Sequence, residues 1–158
     1  MKVCLRYKKN KEDAHSLLNL SFLKILDGLK SLDQASPFEP WIRRIAINTA
    51  IDEFRKNKKH SDTELQNFSE EYWSGRLSEA NQADEEFNAE QLRNLIRTLP
   101  DISQQVFNLC VLDGFGYDEI ASKLDITEAT CRWHVHFARK TLKALISKGK
   151  LMINTVML

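Results

Sequence analysis

The chain has 158 residues, 42% of them hydrophobic and 28% charged, enough for one ordinary domain or two small ones. Only 5 Gly and 3 Pro occur, which argues against a turn-rich β-sandwich and for helices. The formal net charge of +1 hides a pattern: residues 1–60 hold 13 Lys and Arg against 7 Asp and Glu, residues 61–91 hold 1 against 9, and residues 92–158 hold 9 against 6. Two basic blocks therefore flank an acidic bridge. Basic blocks suit a polyanion, whereas the bridge by itself reads as a solvated linker between two helical lobes. The three cysteines, Cys4, Cys110 and Cys131, are far apart and set among apolar neighbours, so they read as reduced thiols of a cytoplasmic protein. The chain has no CxxC or HxxxCxxC spacing for zinc, no apolar run of about 18 residues and no visible signal peptide.

In chain order, residues 12–30 repeat apolar side chains at helical spacing, and Gly28 with the following "SLDQASP" closes that segment. Ser36 or Pro37 opens the next helix, "FEPWIRRIAINTAIDEFRKNKK", which ends in a basic run suited to a helix C-terminus. Residues 60–90 lack sustained periodicity and are rich in Ser, Asn and Glu, so they read as a linker with at most a helical turn near Tyr72 and Trp73. Beyond it, Leu92, Leu95, Ile96 and Leu99 form one stripe that Pro100 stops. Val106, Phe107, Leu109 and Cys110 mark a second helix ending near Gly114, and residues 118–124 form a short third one. Thr127 is a good N-cap for a fourth, with Thr130 at its third position. The expected fold is all-α: a helical domain over 1–60, an acidic linker over 61–90, a helix-turn-helix domain over 91–148 and a tail over 149–158.

The third and fourth of these helices carry the clearest chemistry. At about 100° per residue, Cys131, Val135, Ala138, Leu142 and Leu145 fall on one apolar face. Arg132, Trp133, His136, Arg139, Lys140 and Lys143 fall on the other side, with no acidic residue among them. A solvated helix face gains from mixed signs, so a single-sign arc points to an anionic partner. Three or so residues separate the two helices, as a helix-turn-helix needs, and such a motif places its second helix in the DNA major groove. Asp125 stands where a turn glycine is common, and Asp tolerates left-handed angles better than most residues. The bland alternative is a surface helical hairpin with a basic face.

In the long N-terminal helix, Trp41, Arg44, Asn48, Asp52 and Arg55 share one stripe, followed by Lys56, while much of the remainder is apolar. Such a stripe offers stacking and edge hydrogen bonds to unpaired bases. The internal alternative is that Asp52 pairs with Arg44, Arg55 or Arg6.

Together these stretches resemble the bacterial sigma factors of the extracytoplasmic-function type. "FEPWIRRIAINTAIDEFRKNKK" is similar to that family's second region, which recognises and melts the minus-ten promoter element. "LRNLIRTLPDISQQVFNLCVLDGFGYDEIASKLDITEATCRWHVHFARKTLKALI" is similar to its fourth region, which binds the minus-thirty-five element, and "EDAHSLLNLSFLKI" resembles the helix that docks on the clamp of core RNA polymerase. The resemblance implies a promoter-specificity subunit, not an enzyme, that needs no cofactor or metal. Its partners would be core RNA polymerase, promoter DNA and an anti-sigma factor clamped between the domains. It implies minus-ten contacts from the Trp41–Arg55 stripe and Lys56, and capture of a flipped base by residues 57–68. It also implies minus-thirty-five contacts from the Arg132–Lys143 arc, polymerase contacts from Asp13, Ser16 and Asn19, and an acidic linker threaded through the polymerase RNA channel. The family pattern has an acidic residue, Gln and Glu where this chain has Ser16, Asn19 and Leu20, small or basic residues where it has Trp133 and Phe137, and a first helix inside which Met1 falls. Two other readings stand beside this one: a helix-turn-helix regulator acting without polymerase, and a truncated sigma-like protein-binding module. No Ser/His/Asp, paired-carboxylate or phosphate-loop pattern supports catalysis. His134 and His136 are two apart and do not share a helix face for a metal.

Overall fold

Short polar side chains open two of the helices, and a residue in the left-handed region closes a third. In the computed structural model, which describes residues 1–33, 37–60 and 89–156, α1 (Lys2–Tyr7) is followed by α2 (Lys11–Gly28). Asn10 starts α2 by accepting a hydrogen bond from the Asp13 backbone N–H at 2.7 Å, the usual work of an N-cap asparagine. One 3₁₀ turn (Leu29–Ser31) leads out of α2, and α3 (Phe38–His60) runs back along it. At Gly28 an added Cβ would lie 2.9 Å from Trp41 Cζ2; only glycine lets the indole pack down on α2 there. Ser36, the candidate opening residue of α3, and the turn near Tyr72 and Trp73 lie outside the described residues, as do residues 61–88 of the acidic linker expected over 61–90 and most of the base-capture segment; the last two linker residues, Ala89 and Glu90, are already helical.

The C-terminal half follows as α4 (Ala89–Arg97), α5 (Asp101–Phe107), α6 (Tyr117–Leu124) and α7 (Glu128–Val156). The expected helix ending near Gly114 is α5 continued by a π turn (Asn108–Leu112). There the Asp113 N–H reaches back five residues to the Asn108 carbonyl at 3.0 Å, which returns Asp113 to the side of the helix that Asn108 occupies. Gly114, at φ 76°, then reverses the chain. Asp125 follows α6 in the left-handed region (φ 55°, ψ 53°) and passes its own N–H to the Ala121 carbonyl, a helix ending that usually takes Gly or Asn. Thr127 Oγ1 accepts from the Thr130 N–H at 3.1 Å and so opens α7.

Among the described residues the chain is all-α, with two small helical domains, the second containing the helix-turn-helix α6–α7. The apolar face expected of α7 is the buried one: Cys131, Val135, Ala138, Leu142 and Leu145 are all core residues. The larger hydrophobic cluster draws on both halves. Cys4, Tyr7, Leu17, Ile47 and Ile51 come from the N-terminal helices, and Val106, Leu109, Ile120, Leu124, Cys131 and Val135 from the C-terminal ones. A smaller cluster of Ile96, Leu99, Phe107, Ala138 and Leu142 holds α4 onto α7. Burial raises the thiol pKa values of Cys4 and Cys131, which keeps both as unreactive core groups.

The short helix α1, which the periodicity did not reveal, lies where the halves meet. The last carbonyls of a helix have no partner within it, and here the C-terminal half supplies them. Arg97 Nη2 donates to the Leu5 carbonyl at 3.1 Å. Gln104 Nε2 and Asn108 Nδ2 both donate to the Arg6 carbonyl, at 3.0 and 2.7 Å. Gln105 Nε2 donates to the Tyr7 carbonyl at 3.3 Å. The π turn completes this seam by placing Asp113 beside the Arg6 and Tyr7 side chains.

The left-handed turn yields a stability prediction. Replacing Asp125 by Gly removes a Cβ from a strained backbone and should stabilise the protein by up to about 1 kcal/mol, whereas Asp125→Val should cost about 1–2 kcal/mol. The urea unfolding midpoints of the two variants should move in opposite directions from that of the parent.

Candidate nucleic-acid interface

Two surfaces carry the residues singled out by the sequence. On α7, the buried stripe turns Arg132, His136, Arg139, Lys140 and Lys143 outward, and these lie on the solvent side of the helix. Trp133 joins them at 43% exposure. Its ring stacks on Phe137, with centroids 5.2 Å apart and planes 11° apart, and meets the edge of His134 at 4.9 Å. The exposed indole is therefore braced by a second aromatic ring. His134 points the other way: it is buried, and its Nδ1 lies 2.9 Å from Ser103 Oγ. It is thus a structural histidine, apart from the exposed His136.

The arc is less uniformly positive than the spacing implies. Glu128, one turn before Arg132, pairs with its guanidinium at 3.0 Å. The same guanidinium lies 5.3 Å from the Tyr117 ring centroid on α6, within reach of a cation–π interaction. Arg132 is therefore oriented by both helices of the motif. A wheel that starts at Cys131 leaves Glu128 out; its i,i+4 spacing to Arg132 is the signal in the sequence.

On α3 the structure divides the proposed stripe. Arg44, Arg55 and Lys56 are exposed. Trp41 is half-buried, stacked on Phe38 at 6.0 Å and seated against Gly28, so packing explains much of its position. Asp52 pairs with Lys24 of α2 at 2.9 Å, not with any of the three arginines that the sequence suggests. Helix α2 lies antiparallel beside α3, which a wheel of α3 alone does not show. Asn48 Oδ1 accepts from Lys123 Nζ at 3.0 Å. That bond joins the candidate minus-ten surface to α6, the first helix of the helix-turn-helix.

Asp13, Ser16 and Asn19 are exposed on α2, and Asp13 is also tied to Asn10 through its carboxylate at 3.0 Å. The same helix carries Leu20, Leu23 and Leu26, with Phe22 beside them, all exposed. Sequence reasoning passes over these apolar residues because leucine at helical spacing reads as core; their excess over what one buried face needs is the signal.

Between the two surfaces sits Asp113, whose side chain is 0% exposed. Its Oδ1 takes hydrogen bonds from Arg6 Nη2 at 2.8 Å and Arg43 Nη2 at 2.6 Å, and its Oδ2 takes one from the Tyr7 hydroxyl at 2.5 Å. Burial, and then the neighbouring carboxylate, hold the Tyr7 phenol far above its ordinary range, so it stays protonated and donates.

Comparison with known proteins places both halves of the chain in one family. Residues 1–60 match the family model for Sigma-70 region 2, and residues 89–142 match that for Sigma-70, region 4. The ECF RNA polymerase sigma-E factor of Salmonella typhimurium (strain LT2) is 30% identical over 140 residues, covering 82% of this chain and 72% of the relative. The ECF RNA polymerase sigma factor SigM of Bacillus subtilis (strain 168) is 29% identical over 145 residues, covering 92% and 86%. This chain belongs to the ECF RNA polymerase sigma factors. The fold of this sigma factor is also like that of a solved one, the sigma factor RpoE in complex with the anti-sigma factor NepR from Bartonella quintana. The TM-score is 0.56 at 18% identity, over 92% of this chain and 88% of that one. Among the described residues of this sigma factor, no helix is long and apolar enough to cross a membrane.

The Lys123–Asn48 hydrogen bond is half-buried and involves a charged donor, so its loss should be measurable. A double-mutant cycle over Asn48→Ala and Lys123→Ala should give a coupling of about 1–2 kcal/mol in urea unfolding. A coupling near zero would show that the two side chains do not hold each other in solution.

Proposed function

We propose that this sigma factor is a promoter-specificity subunit: it binds core RNA polymerase, reads the minus-thirty-five element with α7 and melts the minus-ten element with α3. It is a non-enzymatic initiation factor working in the cytoplasm. The observation that carries this reading is the presence of both promoter-reading regions, in family order, on one chain. The exposed basic arc of α7, standing on a buried apolar stripe, supports the minus-thirty-five role. In the same reading residues 1–60 and 91–148 are the two functional domains, 61–90 the acidic linker and 149–158 a tail. The deciding experiment is run-off transcription with core enzyme, in which the purified chain should direct initiation from its own promoter. Duplex binding without initiation would leave a helix-turn-helix regulator instead.

Physical roles can be assigned residue by residue. Arg132, Arg139, Lys140 and Lys143 supply phosphate contacts or guanine-edge hydrogen bonds, His136 a further polar contact, and Trp133 an apolar face for a thymine methyl group. Arg44, Arg55 and Lys56 hold the minus-ten backbone. Asn48 and Asp52 offer base-edge hydrogen bonds, and Trp41 offers the free edge of its ring. Using Asn48 and Asp52 requires exchange of their present partners, Lys123 and Lys24. Asp13, Ser16 and Asn19 face polymerase, and the adjoining Leu20, Leu23 and Leu26 give that contact an apolar centre, as protein interfaces generally have.

Two further outcomes follow for DNA. Arg132→Ala and Lys140→Ala should weaken binding to minus-thirty-five duplex. A lost phosphate contact reduces the salt slope by about one unit, and a lost base contact costs about 1–3 kcal/mol at one position. Unchanged binding by both variants across several salt concentrations would remove the recognition-helix assignment. Asn48→Ala should retain polymerase binding yet lose about 1–3 kcal/mol in open-complex formation, the scale of a base contact. Permanganate footprinting beside a melting curve distinguishes this from a purely structural loss.

A further inference from the structure

We propose that the Trp133–Phe137 pair makes this sigma factor a reader of a pyrimidine C5-methyl group, so that its minus-thirty-five site is marked out by one such methyl, whether of thymine or of 5-methylcytosine. The inference rests on the reading that α7 enters the major groove, and it names the chemical group that the helix selects there.

Trp133 is the sixth residue of α7 (Glu128–Val156). It therefore stands in the first two turns, from which the second helix of such a motif reaches base edges. Its indole is 43% exposed, whereas Phe137, one turn on, is 9% exposed. The two rings are nearly parallel, with centroids 5.2 Å apart and planes 11° apart. The imidazole of His134 meets the indole at 4.9 Å and 81°. His134 is itself fixed, being buried with Nδ1 2.9 Å from Ser103 Oγ. Phe137 thus occupies one face of the indole and His134 limits its swing. A side chain already held in place loses little further freedom on binding, so a contact as small as one methyl group registers in the affinity.

The surroundings select the ligand. Arg132, His136 and Lys140 are exposed on the same side of α7. An apolar protein groove or a lipid tail laid on Trp133 would cover these cations without pairing them, which is costly. Duplex DNA instead brings phosphates for the cations and, in its major groove, one apolar projection, the C5-methyl group of thymine. 5-Methylcytosine carries the same group at the same ring position, whereas uracil and unmodified cytosine carry hydrogen there. An apolar plane that accepts the methyl of one base accepts that of the other.

A methyl scan tests the proposal. The full chain, added to core RNA polymerase, selects from a random duplex library, with the sequences that core polymerase selects alone removed. The selected duplex is then remade with each thymine in turn replaced by uracil. At one or two positions binding should fall about fourfold, the scale of one buried methyl group. At the same position a change from cytosine to 5-methylcytosine should raise binding by a similar factor. In Trp133→Ala both ratios should fall to one. Each ratio compares two duplexes with the same protein, so a general loss of affinity leaves it unchanged. Should Trp133→Ala lose helical circular dichroism, Trp133→Gln takes its place and must abolish the methyl dependence, or the proposal fails. Selection of a sequence with no methyl-dependent position would overturn the proposal alone. So would a response to thymine without one to 5-methylcytosine, or a methyl dependence that survives loss of the indole. Failure to select any sequence would remove the major-groove reading, and this proposal with it.

Discussion

A helix six residues long cannot satisfy its own C-terminal carbonyls, and the arrangement of this protein depends on how that need is met. In α1 the carbonyls of Leu5, Arg6 and Tyr7 are taken by Arg97, Gln104, Gln105 and Asn108, side chains far along the chain. Buried backbone groups demand partners, so four side chains that would otherwise be poor core material become necessary ones. Their presence then fixes what surrounds them. The π turn after α5 exists where Asp113 must return to the α1 side, and Asp113 in turn gathers two arginines and a tyrosine around one buried carboxylate. The two domains share a core because one short helix is completed by the other domain.

This arrangement separates two kinds of stability within one molecule. Deep inside, Val106, Leu109, Ile120 and Leu124 are packed away from water almost completely, and contacts of this kind resist any loosening. At the seam, the contacts are made by charged and amide groups, whose desolvation offsets much of what their mutual attraction provides.

Local features were legible in the amino-acid order, and distant ones were not. The buried stripe of α7 could be read from Cys131, Val135, Ala138, Leu142 and Leu145, because a helical period is a local property. Thr127 likewise declared the start of α7, since capping selects few residue types, whereas Asp125, standing where a glycine is usual, takes the left-handed turn all the same. By contrast, Asp113 looks like an ordinary polar residue at a helix end, and Gln104 and Asn108 look like its solvated face. Their partners lie on α1, and nothing in the spacing of either segment names the other. Trp41 is hard to place for the same reason: the glycine that admits it belongs to a different helix. The neighbourhood of Asp52 suggests arginine partners, whereas a lysine across the helix pair holds it.

In the proposed DNA-binding reading, the pairing of Arg132 with Glu128 has a consequence for how the protein searches a chromosome. Non-specific attachment to DNA is driven by cations displacing counterions from phosphates. An arginine already neutralised by a carboxylate one turn away, and leaning on the Tyr117 ring of the preceding helix, contributes less to that attachment. The carboxylate thus acts as a built-in competitor. In that reading it trims the charge that Arg132 brings to the vast excess of irrelevant sequence, while a matched site can still recruit the guanidinium.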